Sequence, residues 1–356
     1  MTSAARRYPV LAGFVMMFVL TWPVDLWAAA ASHGWAVAPP PILPLLVGYG
    51  FVAAAVLVTG IVDGRGGVRA LLRRFLVWRV GVHWYLVVLF GPAVIYLAAV
   101  ALHRALGGGL GEPLIHRIVG PEMSLAVALP LFFLFDLFDV ATNGEEIGWR
   151  GYALPRLQGR YGALLASLVI GGVSAFWHLP KLLTEGRPGY PIWLFVLEAT
   201  AKAVLFTWVV NGTAGSLLTV SMLHSSVNTS TVFLPIVPSG DTIRPYAFSV
   251  GLFCLAAVTV IVLTRGRLLA RQPDGPSRCA RPGLLAPLIR RHPAAEDVAA
   301  AACRGDRRRA WGRCTGSAAP LAVVVTRTYG IRPDSRWGNR VLAREEVVRH
   351  GRTGSA

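Results

Sequence analysis

Apolar stretches long enough to cross a bilayer recur along this chain, and they constrain everything else about it. The stretch from Val10 to Ala31 holds one ionisable residue, Asp25. Comparable stretches lie at about 41–62, 84–102, 123–146, 163–179, 192–210, 214–237 and 246–263. About 20 helical residues cross the ~30 Å hydrocarbon core. In lipid every backbone polar group must find its partner inside the protein, which leaves helices or a closed barrel. The expected fold is therefore all-α, a polytopic membrane protein with about eight transmembrane helices. Composition agrees: 54% of residues are hydrophobic, 15% are charged and mean hydropathy is +0.54. Arg6 and Arg7 before the first apolar run resemble a secretory signal. The length of that run and the spans after it favour a retained first helix.

The formal net charge of +17 raises nucleic-acid binding as a class, and the distribution argues against it. From Arg265 onward there are 19 arginines, no lysine and 7 acids. A basic tail on a membrane protein reads as cytoplasmic and close to anionic lipid, so nucleic acid is not an expected partner. The chain divides into a transmembrane domain over 1–265 and an Arg-rich tail over 266–356 whose composition predicts disorder. Arginines also cluster at 6–7, 65–79 and 150–160, on one side of an eight-span arrangement. The other side has Arg104, Arg117, Lys181, Arg187 and Arg244. The positive-inside rule then puts both termini and the 155–161 turn in the cytoplasm. Leu71, Leu72, Phe75 and Leu76 alternate with arginines, the pattern of an interfacial helix. Cys254, Cys279, Cys303 and Cys314 have spacings that suit neither a zinc pair nor a disulfide framework.

Ionisable groups at membrane depth mark function by default. Glu145 and Glu146 open the stretch that ends at His178. A helical hairpin turning near Tyr161–Gly162 brings Glu145 and His178 to one depth, about 24 Å from the turn. Glu146 and Arg150, four apart, share a helix face and can pair. Glu145 is rotated about 100° from Glu146, so the two acids have different jobs, with Glu145 left for chemistry. His224 and Asn228 share a face near the middle of their span. They are either an interhelical hydrogen-bond pair or donors for a developing oxyanion. Glu198 and Lys202 form a structural ion pair by the same spacing. Asp136 and Asp139 receive no assignment.

Taken together, EEIGWRGYALPRLQ, WHLP and HSSVN resemble the three motifs of the CAAX prenyl protease and bacteriocin-processing family of intramembrane proteases. The match covers Glu145, Glu146 and Arg150, then His178, then His224 and Asn228, in the family's order over about 143–231. One departure is Ser174 where the family has Phe four residues before the His. The resemblance implies an endopeptidase working in a membrane cavity open to the cytosol. Glu145 with His178 would activate a water, His224 and Asn228 would stabilise the oxyanion, and Glu146 with Arg150 would support them. A metal-free glutamate mechanism is favoured. Zinc held by Glu145, His178 and His224 is the alternative, since no His-Glu-x-x-His pair exists. The expected partner is a peptide or membrane-protein substrate, and the expected location a bacterial inner membrane. A non-catalytic scaffold or chaperone of the same fold is the competing reading. A transporter ranks behind both, for no inverted repeat is evident.

Overall fold

The apolar stretches fold as helices whose order and breaks follow the glycines and prolines between them. The computed structural model describes residues 2–120, 123–184, 191–237 and 242–269. Helix α1 (Pro9–Ser32) packs along α2 (Ile42–Arg73), and α3 (Val82–Ala105) follows. Helix α4 (Leu125–Phe138) leads into α5 (Val140–Glu146), which continues as a π-helical segment, Ile147–Ala153, into α6 (Leu154–Tyr161). Then come α7 (Ala163–Trp177), α8 (Ile192–Gly212), α9 (Leu217–Phe233) and α10 (Arg244–Leu263). No β-strand occurs among the described residues. The Arg-rich region beyond Leu269, for which composition predicts disorder, lies outside them.

Five of these helices, α1, α2, α3, α8 and α10, are long and apolar enough to cross a membrane. The α4–α6 stretch adds a sixth if its 45° bend is counted within one span. Helices α7 and α9, with 15 and 17 residues, fall short of the ~20 that a full crossing takes. The protein is a multi-pass membrane protein, and its helical segments stand where the eight apolar stretches predicted them.

Surface and core separate as lipid requires. On α3, Val82, Leu86, Phe90, Val94 and Leu97 form an exposed stripe at helical spacing, while Val88, Tyr96 and Ala99 are buried. The expected interfacial helix is the end of α2. Gly64, at φ 69°, breaks the helical path there, a conformation that glycine adopts without steric cost. Residues 155–161, expected as a turn, are instead helical in α6, and the chain reverses at Gly162, φ 81°, where α6 and α7 meet. Further from the turn the arms part. Phe51 of α2 lies between them, its ring 5.0 Å from Trp149 and 4.9 Å from Trp177. Phe51 thus separates the arms that carry Glu145 and His178.

Small residues let backbones approach where lipid offers no hydrophobic drive to association. A Cβ on Gly144 would strike the Gly48 carbonyl of α2, and one on Gly171 would lie 2.7 Å from Thr200 Cα of α8. Helix α9 runs through the middle and is unusually polar. Several of its hydroxyls find partners inside the fold: Ser226 Oγ donates to Leu89 O at 2.7 Å and Thr219 Oγ1 to Thr213 Oγ1 at 3.0 Å.

Hydrogen bonds tie each end of the bundle together. At one end Arg6 Nε donates to Ile61 O at 3.2 Å and Arg74 Nε to Gly215 O at 2.6 Å. Arg74 Nη1 donates to Gly151 O at 2.9 Å, Gln158 to Asn211 at 3.2 Å, and Arg156 pairs with Asp63. At the other end His33 Nε2 lies 2.9 Å from Leu183 O, and Phe132 packs on Phe233.

Candidate active site

The chemistry-bearing residues converge on one cavity of about 500 Å³. Glu145, Glu146 and Arg150 reach it from α5 and the π-helical segment. His178 reaches it from just past α7, and His224 and Asn228 from α9. All six residues singled out by the sequence are therefore brought together, although the three groups lie at least 28 positions apart in the chain.

Exposure divides them. Glu145, His178, His224 and Asn228 are partly open to the cavity, whereas Glu146 is fully buried and Arg150 is 5% exposed. This follows from the ~100° between adjacent residues on a helix: one acid faces the cavity and its neighbour faces the core. Glu146 Oε1 accepts from Arg150 Nη1 at 3.2 Å and lies 2.9 Å from His224 Nδ1. A carboxylate in a dry core needs such partners. Arg150 in turn lies over the Phe206 ring, 4.7 Å from its centroid. Glu146 thus joins two helices, a role wider than the pairing with Arg150 that spacing predicts.

Each histidine is oriented through one nitrogen. His178 Nδ1 lies 2.8 Å from Ser174 O. An N–H there leaves Nε2 as the free acceptor of a neutral ring. The ring is held edge-on to Trp177 and sits 5.3 Å from Phe195. Trp177 is anchored by its Nε1 donating to Thr21 Oγ1 at 2.7 Å, and Trp22 Nε1 donates to Trp177 O at 3.0 Å. Ser174, the departure from the family pattern, lines the cavity and supplies the carbonyl that orients His178. Phe176 instead turns outward onto Phe18 and Trp22. On the other wall, Trp149 Nε1 donates to Glu145 Oε2 at 3.4 Å.

Asp136, unassigned from the sequence, belongs to the site. It is 6% exposed and its two carboxylate oxygens accept from Asn228 Nδ2 at 3.2 and 3.4 Å. The available signal was its position inside an apolar span, which by itself marks function. The pairing with Asn228, 92 residues away, left no local trace. Asn143 secures the same corner, donating to Asp136 O at 2.5 Å and Ser225 Oγ at 3.3 Å. Glu198 and Lys202 pair at 2.6 Å as their spacing predicts. They also line the cavity, and Tyr246 Oη donates to Glu198 at 2.7 Å.

Among the described residues, no three His, Cys, Asp or Glu side chains converge closely enough to share a metal ion. The set Glu145, His178 and His224 is not gathered for that purpose as these side chains stand.

Residues 123–230 match the family model described as type II CAAX prenyl endopeptidase Rce1-like. A curated relative, CAAX prenyl protease 2 of Methanococcus maripaludis, is 28% identical over 184 residues. That alignment covers 49% of this chain and 64% of the relative, so the chain spans just under two thirds of the relative's length. The helices that carry Asp136, Glu145, His178, His224 and Asn228 are the part of this chain that matches the Rce1-like family.

Proposed function

We propose that this protein is an intramembrane endopeptidase of the CAAX protease type. Glu145 is its general base, His178 the partner that holds the water, and His224 with Asn228 the oxyanion donors. The observation that carries this reading is the division of exposure. Four polar side chains from three separated segments share one intramembrane cavity, while Glu146 and Arg150 behind them are buried.

In this mechanism a water lies between the Glu145 carboxylate and His178 Nε2. Glu145 takes a proton as the water oxygen attacks the peptide carbonyl carbon. The carbonyl oxygen becomes an alkoxide and draws on preorganised donors, which cost no reorganisation at that moment. Asn228 has two N–H groups; one is held by Asp136 and the other is free for the oxyanion. His224 has Nδ1 held against Glu146, so an Nε2–H donor requires the imidazolium form. Collapse of the tetrahedral intermediate expels the amine, which takes the proton from Glu145, and leaves a new carboxylate.

The family match and the relative's name support a peptide or protein substrate. The test uses both lipid-modified and plain peptides. Purified protein in detergent is incubated with prenylated and unmodified fluorogenic peptides, with wild type and Glu145→Gln, with and without a chelator. The proposal expects cleavage by wild type, none by Glu145→Gln, and no effect of the chelator. Loss with chelator and recovery with zinc would move the chemistry to a metal. Equal turnover by wild type and Glu145→Gln would overturn the catalytic assignment. The proposed membrane is a bacterial inner membrane, with anionic lipid against the Arg-rich tail. Both termini, by the positive-inside rule, are cytoplasmic.

A further inference from the structure

The site has a sidedness that follows from which end of the bundle lines its cavity and where the arginines stand. Besides the six site residues, the cavity is lined by Leu114, Lys181, Leu182, Ile236, Val237 and Tyr246. These belong to the end of the bundle where His33 meets Leu183. None of the lining residues comes from the opposite end, made of 6–9, 61–79, 151–164, 211–217 and 264–269. His178 stands just beyond the far end of the 15-residue α7, about 24 Å from the Gly162 turn.

Cationic residues are distributed unequally between the two ends. The end away from the cavity carries Arg6, Arg7, Arg65, Arg69, Arg73, Arg74, Arg79, Arg156, Arg160, Arg265 and Arg267, with Asp63 as its acid. The described residues at the cavity end carry Arg104, Arg117, Lys181 and Arg244, with Glu112. The rule counts Lys and Arg near span ends and puts the richer side in the cytoplasm. The surplus here is eleven against four. A cavity open to the cytosol, as the resemblance implies, and a cytoplasmic α6–α7 junction at Gly162 therefore cannot both hold.

We infer that the cavity opens to the non-cytoplasmic face, and that the substrates are segments of membrane-anchored or exported proteins presented from outside the cytoplasm. The substrate half of this rests on the endopeptidase reading; the sidedness half does not. A lumen walled by Phe132, Phe195 and Phe206 and floored by the site's polar groups suits an extended chain entering from that face.

The experiment reads the two halves separately. Single cysteines are placed in the full chain, after the four native ones are changed to Ser. Trp35→Cys, exposed at the cavity end, and Val237→Cys, in the cavity wall, are compared with Leu76→Cys at the arginine-rich end. Right-side-out spheroplasts and inverted vesicles are treated with a membrane-impermeant thiol reagent small enough to enter the cavity. Trp35→Cys and Val237→Cys should react in spheroplasts, and Leu76→Cys in inverted vesicles. The reverse pattern, or Val237→Cys reacting in inverted vesicles alone, overturns the inference. Cleavage is then followed with an impermeant peptide that the detergent-solubilised enzyme cuts. Spheroplasts of wild type should cut it and intact inverted vesicles should not. If inverted vesicles cut it and spheroplasts do not, the sidedness fails while the protease stands. If the solubilised protein cuts nothing, the protease reading fails and the thiol pattern still decides the face.

Discussion

Replacing each of the two adjacent acids by glutamine should separate chemistry from architecture. Glu146 is fully buried and its Oε1 contacts Arg150 at 3.2 Å and His224 at 2.9 Å. Glu146→Gln leaves the Arg150 guanidinium without that counter-charge in the core, and breaking a buried pair this way costs about 3–5 kcal/mol. Glu145 is partly open to the cavity and accepts one long bond, 3.4 Å, from Trp149. Glu145→Gln should cost no more than the ~1 kcal/mol of an ordinary hydrogen bond. The gap of at least about 2 kcal/mol is roughly 30-fold in the unfolding equilibrium, at 1.36 kcal/mol per tenfold. Denaturant titration of purified protein in mixed micelles, followed by tryptophan fluorescence, would measure it. Activity should order differently, with Glu145→Gln at background even where the protein is fully folded. Adding Arg150→Met to Glu146→Gln should recover part of the loss, because it removes the orphaned charge. Two results would refute the reasoning: equal destabilisation by the two glutamine variants, or strict additivity of Glu146→Gln and Arg150→Met.

Three further outcomes follow from the same contacts. Asp136→Asn frees the Asn228 amide and should lower kcat about 10–100-fold with little change in KM, the range expected for displacing a catalytic group by about 1 Å; steady-state kinetics checks it. Gly144→Ala puts a methyl against the Gly48 carbonyl, so it should destabilise by about 1–3 kcal/mol and depress activity by pushing Glu145 off its place. Gly172→Ala, with open space at its Cβ, is the matched control and should leave both unchanged. Lys202→Met strands Glu198, which would keep only its tyrosine donors. It should destabilise by about 3–5 kcal/mol, and the double variant Glu198→Leu/Lys202→Met by clearly less, as read by the same titration.

How much was legible beforehand depends on how local each cause is. Helix positions followed from apolar runs, and the reversal at Gly162 from the glycine that precedes one of them; the break at Gly64 was found only in the structure. The different exposure of Glu145 and Glu146 could be read because 100° per residue is a local property. The meeting of Glu146 with His224 and of Asp136 with Asn228 could not, since 78 and 92 residues separate the partners and no local pattern encodes that distance. The hairpin register brought Glu145 level with His178 but gave no warning of Phe51 between the arms, which belongs to another helix. The cytosolic opening came with the family resemblance rather than from these residues. The arginine distribution and the cavity's end of the bundle, once both were known, pointed the other way.

The π-helical segment Ile147–Ala153 bears on how this rod is phased. A turn closed by i→i+5 bonds holds one more residue than an α-turn, so it shifts the angular position of everything beyond it by about 100°. Downstream, Arg156 meets Asp63 and Gln158 meets Asn211. Upstream, Glu145 faces the cavity. An uninterrupted α-helix would satisfy one of these ends and turn the other toward lipid. The segment thus acts as a coupling between two azimuths on a single shaft. A residue-by-residue alignment that assumes one helical period through 147–153 will assign the wrong face to every position after Ala153.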